Sequence, residues 1–253
     1  MKKRTTMKRI LAIILMIPIC VIFYVDMKLA YNDTMIRQTF SHRLSKYPIK
    51  NLESFYDMEG PRNANFDKDD KGKWIISTAY FYGSTYEKIR LELDRNTRKA
   101  KGEYIIHHTY RSKYGNPINK EKSYPIKMKN NHLYYAGNEK DIQKHPEIEK
   151  KVKDFKFFCQ YGRFDHFEKY KRLDFSIRRH PLMYYILSFK VPNNDDNVKK
   201  IRKYYNLTDS KPTRLMITGD DNFVYHTVGA NTLSYDFDNQ ESVQDSVDFI
   251  PTK

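Results

Sequence analysis

The sequence predicts an α+β protein, mainly antiparallel sheets with a few helices, preceded by an N-terminal transmembrane or signal-anchor helix. Three observations predict it. Lys2, Lys3, Arg4, Lys8 and Arg9 precede an apolar run from Ile10 to Val25, which Asp26 ends. Beyond it, short segments rich in β-formers alternate apolar and polar residues between turn signals. Strands do not alternate with helices in the βαβ order that makes a parallel sheet.

A basic flank followed by a hydrophobic segment is an export signal, and the basic side stays in the cytoplasm. The chain divides into a cytoplasmic flank (1–9), a signal anchor (10–26) and an exported α+β domain (27–253). The expected location is the cell membrane, single-pass, with the C-terminal domain extracellular. The apolar run is about 16 residues, roughly 24 Å of helix, against a norm of about 20. Tyr24 at the interface and snorkelling basic residues accommodate the shortfall. Signal cleavage needs small residues at the cut. Ile17, Pro18 and Ile19 precede Cys20, and Lys28 stands two positions before Ala30. Cys20 is the candidate lipidation residue. It lies inside the apolar run rather than at its end, so the sequence favours an uncleaved anchor in which Cys20 is a small apolar residue.

The formal net charge is +15. Without the five basic residues before Ile10, 41 Lys and Arg face 31 Asp and Glu, leaving +10. A basic domain outside the cell suits anionic wall polymers or lipid headgroups. It equally keeps a lysine-rich surface soluble. Nucleic acid fits the charge but not the compartment. With Cys20 in the membrane, Cys159 has no disulfide partner in the chain, and its place in Phe155–Cys159 marks it as core.

Along the exported chain, Asn32-Asp33-Thr34 caps a helix beginning near Met35. Ile36, Phe40 and Leu44 continue its spacing, and Pro48 ends it. Asn51 caps a short helix carrying Leu52, Phe55 and Tyr56, closed by Gly60-Pro61. Lys73–Thr78 is β-rich. Ile89, Leu91 and Leu93 alternate with charges in a half-buried strand. Asp94–Thr97 turns it back into a partner strand at Gly102–His108. Tyr124–Met128 and His132–Tyr135 flank a turn at Asn130-Asn131. Pro146 opens a helix carrying Ile148, Val152 and Phe155, extending toward Phe158-Cys159, with Gly162 as its stop. Leu182–Val191 is a long strand. Asn194–Asn197 caps a helix with Val198, Ile201, Tyr204 and Tyr205. Strands follow at Arg214–Thr218, Asn222–Val228, Thr232–Phe237 and Ser246–Ile250.

Little catalytic chemistry is written in these residues. Asp67–Gly72 hints at a calcium loop, but Lys71 stands at the fifth position, which needs an oxygen ligand, and Thr78 at the twelfth, which needs a Glu. It reads as a charged turn. His107 and His108 are adjacent on a strand, so they face opposite ways and cannot share a metal. No zinc spacing, nucleophile elbow or phosphate loop is present. Asp195-Asp196 and Asp220-Asp221 read as a helix cap and a turn. No catalytic residue, cofactor or metal site is expected. The 21 tyrosines are the most unusual feature of the composition. Alternation buries one of each adjacent pair and leaves the other for contacts.

Six segments together resemble one family. They are Lys46–Glu53, Asp69–Trp74, Leu93–Arg98, Tyr124–Met128, Phe155–Phe158 with Gln160-Tyr161-Gly162, and Asn194–Lys199. In this order and spacing they are similar to the staphylococcal tandem lipoproteins, from about Arg37 to about Ile250. The resemblance implies a non-enzymatic surface protein of a Gram-positive bacterium, one of an array of paralogues. It also implies a link to host-cell invasion and immune stimulation, with a host surface protein as a possible partner. The chain departs from the family at Cys20, where the residues expected of a lipidation signal are missing.

Overall fold

The computed structural model describes residues 34, 37–62, 64–178, 184–207, 210–220 and 231–252. Chain contacts define two units, Met1–Phe40 and Ser41–Lys253. Of the first, Thr34 and residues 37–40 are described, and they are helical. The helix continues to residue 44 (α1, 37–44). The expected anchor and Cys20 lie outside the described residues, as do Met35 and Ile36. No described helix is long and apolar enough to cross a membrane.

Among the described residues of the second unit, ten strands form one antiparallel sheet. They are β1 (Lys73–Tyr82), β2 (Thr85–Asp94), β3 (Lys99–Arg111), β4 (Pro117–Lys129), β5 (His132–Tyr135), β6 (Lys171–Arg178), β7 (Tyr184–Lys190), β8 (Pro212–Asp220), β9 (Asn231–Phe237) and β10 (Glu241–Ile250). The spatial order is β5-β4-β3-β2-β1-β10-β9-β8-β7-β6. One meander therefore runs outward from β1, and a second runs inward to β10, which pairs with β1. Helices α2 (Glu139–Lys144), α3 (Pro146–Asp154) and α4 (Phe158–Tyr161) occupy the connection between the meanders. Helix α5 (Asp196–Tyr205) lies between β7 and β8.

Turn chemistry sets the registers. Gly83 takes φ +57° at the first position of the two-residue β1–β2 turn, a conformation that glycine adopts without a Cβ penalty. Asn130 and Asn131 are both left-handed, the signature of a two-residue hairpin turn between β4 and β5. Asn131 also accepts from the Leu52 amide at 2.7 Å and donates to the Lys50 carbonyl at 3.1 Å. That pair fastens the turn of 3-10 helix at Leu52–Tyr56 to the sheet corner.

The pleat places Trp74, Ile76, Thr78 and Tyr80 on one face of β1. Opposite them stand Leu93, Leu91, Ile89 and Glu87 of β2, and Phe249, Val247, Asp245 and Val243 of β10. Trp74, Ile76, Leu91, Leu93 and Val247 have no exposed surface. Burying one large apolar side chain contributes about 1.5–3 kcal/mol. The Trp74 ring packs 5.4 Å from Phe55 and 4.8 Å from Phe249, while its Nε1 donates to the Met58 carbonyl. Leu187, Phe189, Leu215, Ile217 and Leu233 extend the core across the second meander. Ile148 and Val152 of α3, with Val198 and Ile201 of α5, are buried as their helical spacing predicts.

The α+β class with mainly antiparallel strands is borne out among the described residues, where the strands form one sheet rather than several. One expected helix is corrected: the segment beginning at Pro146 is two helices, interrupted by extended residues 155–157. In a continuous helix, Phe157 would point about 200° away from Phe155. The break buries Phe157, Phe158 and Cys159 together. Strand β6 and helix α2 were not foreseen. The expected strand at Asn222–Val228 lies outside the described residues.

Candidate binding cleft

The last turn of α3 brings Lys150, Lys151 and Asp154 over β2 and β3. The extended Phe155-Lys156 follows, and the end of α5 contributes Tyr204 and Tyr205. With Glu87, Ile89 and Tyr104 on the sheet face, they line a cleft of about 300 Å³. Glu87 faces this side because it lies opposite Tyr80 in the register. Lys88 also borders the cleft, but its side chain alternates to the other face of the sheet.

Glu87 organises the wall. Lys151 Nζ donates to both of its oxygens, at 2.8 and 2.9 Å. Tyr104 Oη donates at 2.5 Å and Tyr82 Oη at 3.2 Å. Burial alone would raise the Glu87 carboxyl. The Lys151 and Tyr104 hydrogen bonds, with the Lys151 charge, outweigh burial and hold it below the usual carboxylate range. Burial and the bond to Glu87 push the Tyr104 phenol up. Tyr80 stacks 4.9 Å from Tyr82 and packs 4.7 Å from Tyr205. Its hydroxyl donates to Glu241 at 2.7 Å, and Ser210 Oγ donates to the same carboxylate. At neutral pH the Glu87 carboxylate stays charged and the Tyr104 and Tyr80 phenols stay protonated, their bonds already made.

A second cavity of about 550 Å³ lies on the other side of the Asp154–Lys156 segment, lined by Lys50, His132, Lys153 and Gln160 among others. Across the two cavities, Lys50, Lys150, Lys151, Lys153 and Lys156 face only Glu87 and Asp154 as acids. An excess of positive charge beside Tyr104, Phe155, Tyr204 and Tyr205 suits an anionic chain.

A separate polar site lies deeper. Asp245 is fully buried in β10. Thr78 Oγ1 donates to its Oδ1 at 2.7 Å and Tyr47 Oη to its Oδ2 at 3.2 Å. The Cys159 amide also donates to this carboxyl. The Phe158 amide donates to Thr78 Oγ1 at 3.0 Å. Burial pushes the Asp245 carboxyl up to about 7, against the lowering effect of Thr78, Tyr47 and Cys159. The cluster ties α4 and the Tyr47 segment to the sheet.

The residues weighed in the sequence fall elsewhere. Asp70 accepts from the Gly72 amide, Asn96 Nδ2 and both the amide and hydroxyl of Thr252, so it organises a turn. His107 stacks on Tyr86, and His108 on Tyr110. Asp195 caps α5, accepting from the Asn197 and Val198 amides, while Asp196 is exposed and pairs with Lys199. Asp220 ends β8, and Asp221 lies outside the described residues. Cys159 is buried. Among the described residues, no cluster of three or more His, Cys, Asp or Glu could hold a metal. Sequence reasoning missed Glu87, Tyr104 and Lys151. Their only advance signals were the inward phase of Glu87 with Ile89 and the surplus of tyrosine.

These features define an α+β domain built on one antiparallel sheet, with a lysine-rimmed aromatic cleft at its α3–α5 face. The chain belongs to the Csa1 family, whose model matches residues 32–252. It is 38% identical over 231 residues to an uncharacterized lipoprotein of Staphylococcus aureus, covering 88% of each chain. A Staphylococcus epidermidis uncharacterized lipoprotein is 38% identical over 232 residues, covering 88% of this chain and 90% of the relative. The resemblance carried by the six segments is thereby confirmed.

Proposed function

We propose that this protein is a non-enzymatic surface protein, held at the outer face of the cell membrane by its N-terminal segment, whose cleft binds an anionic envelope polymer. The lysines facing few acids across the two cavities carry this reading. The fixed protonation of the Glu87–Tyr104 network supports binding rather than catalysis.

Two observations bear on attachment. The basic flank and apolar run support Ile10–Val25 as an uncleaved anchor. The relatives named as lipoproteins support lipid attachment at Cys20. The intact mass of protein extracted from its membrane separates them: the full chain, or a chain starting at Cys20 with added lipid.

The binding reading is tested with the full chain in detergent and a polyglycerol phosphate probe. Lys150→Gln and Lys156→Gln change exposed side chains. Each should weaken binding by about 1 kcal/mol, roughly fivefold. Lys169→Gln and Lys171→Gln carry the same charge change on the opposite meander and should leave affinity unchanged. Equal losses from both pairs would reduce the interaction to net charge and defeat the cleft.

A further inference from the structure

The hairpin of β3 and β4 outruns the sheet. Strand β2 pairs with β3 only as far as Thr85 opposite His108. Strand β5 covers β4 only from Ile126 onward. Beyond those points β3 and β4 pair with each other, down to Arg111 opposite Pro117. Every residue of β4 from Pro117 to Ser123 is exposed.

The tip is well ordered by local bonds. The Ser112 amide donates to the Asn116 carbonyl at 2.8 Å and the Gly115 amide to the Ser112 carbonyl at 2.9 Å. Gly115 takes φ +82°, which a side chain would strain. This hydrogen-bonded loop carries apolar groups into solvent. Tyr114 is 79% exposed, Tyr110 43% and Ile118 39%. Tyr110 and Ile118 are direct cross-strand partners, so they share one face next to the tip. Arg111, Lys113 and Lys120 flank them, and residues 108–120 contain no Asp or Glu. Lys113 Nζ lies 4.9 Å over the Tyr114 ring.

We propose that this hairpin tip is a docking surface for an anionic lipid bilayer, with Tyr110, Tyr114 and Ile118 entering the headgroup layer and Arg111, Lys113 and Lys120 meeting lipid phosphates. Tyrosine belongs at that boundary because its ring is apolar and its hydroxyl wet. Basic residues beside an anionic leaflet are attracted over about a Debye length. The inference rests on the membrane-anchored reading.

The test is amide hydrogen exchange of residues 109–119 in the full chain, reconstituted in nanodiscs. Discs of phosphatidylcholine alone are compared with discs containing phosphatidylglycerol. Exchange at the tip should be at least about fivefold slower in the anionic discs. The protection should vanish at about 1 M salt and in the triple variant Arg111→Gln, Lys113→Gln, Lys120→Gln. Equal exchange in both discs overturns the proposal. Protection in neutral discs by added polyglycerol phosphate, without any effect of anionic lipid, also overturns it and assigns the tip to a polymer. A chain that fails to incorporate sinks the anchored reading instead. Added neutral and anionic vesicles then test the tip by the same exchange.

Discussion

Replacing Asp245 with Asn should make the protein more stable at pH 8 while leaving it nearly unchanged at pH 4. The carboxyl is fully buried and titrates at about 7, against 3.8 as its ordinary value. In the unfolded chain it loses its proton near 3.8. Between those values the native state keeps a proton that the unfolded state has released. The stabilisation is therefore complete below the unfolded value and is lost as pH rises through about 7. At about 1.4 kcal/mol per pH unit between the two values, the full loss is about 4 kcal/mol. Asn is neutral throughout. Its Oδ1 can still accept from Thr78, and its Nδ2 can donate to Tyr47 Oη. Asp245→Asn should thus gain up to about 4 kcal/mol over the parent at pH 8. The assay is urea unfolding of both full chains between pH 4 and pH 8, followed by fluorescence. Trp74 is the sole tryptophan and is buried against Phe249, so it reports the packing beside β10. A stability difference that stays constant across that range would refute the reasoning. Other groups contribute equally to both chains and cancel in the comparison.

Three further outcomes follow from particular contacts. Gly102→Ala would set a Cβ 2.0 Å from the Arg90 carbonyl oxygen, forcing β2 and β3 apart. It should cost about 1–3 kcal/mol, read as a lowered Tm, and an unchanged Tm would contradict the register. Lys151→Met removes the cation that helps hold Glu87 ionised. Glu87 stabilises the fold above its unfolded pKa and loses that contribution as pH falls through its lowered native value. The variant should show less of this acid-dependent loss in pH-dependent unfolding, with a cost of at most about 1 kcal/mol because Lys151 is half exposed. Asp70→Asn weakens the bonds that hold Thr252 to the turn before β1. Faster amide exchange at Thr252, with the β1–β10 amides unaffected, is the expected result. Unchanged exchange at Thr252 would show that Asn96 suffices.

The hairpins were legible because their physics is local. Ile89, Leu91 and Leu93 alternate with charges, and Asn130-Asn131 can adopt the left-handed turn that β4 and β5 require. Helix α5 was legible from its Asp195 cap and its spacing. Strand β6 was not. A register shift between Arg172 and Asp174 interrupts its alternation, and Leu173 is 53% exposed. The pattern that announces a strand is missing where a bulge changes which residues face inward. The family was legible from ordered segments, but the cleft was not. Glu87, Tyr104 and Lys151 meet only because β2 and β3 take one register and α3 lies across them. Alternation separates the adjacent pair Tyr134 and Tyr135, the first exposed and the second covered, but leaves Tyr80, Phe81 and Tyr82 all half-buried. Asp245 carried a signal that went unread. It falls in phase with Val243, Val247 and Phe249, a polar residue in an otherwise apolar row.

The proposed occupant of the lysine-rimmed cleft is an anionic polymer. Lysine acetylation of the full chain, mapped by mass spectrometry with and without polyglycerol phosphate, tests it most directly. Lys50, Lys150, Lys153 and Lys156 should be protected, with Lys169 and Lys171 reacting as before. Uniform protection across the surface, or protection confined to lysines outside the two cavities, would contradict it.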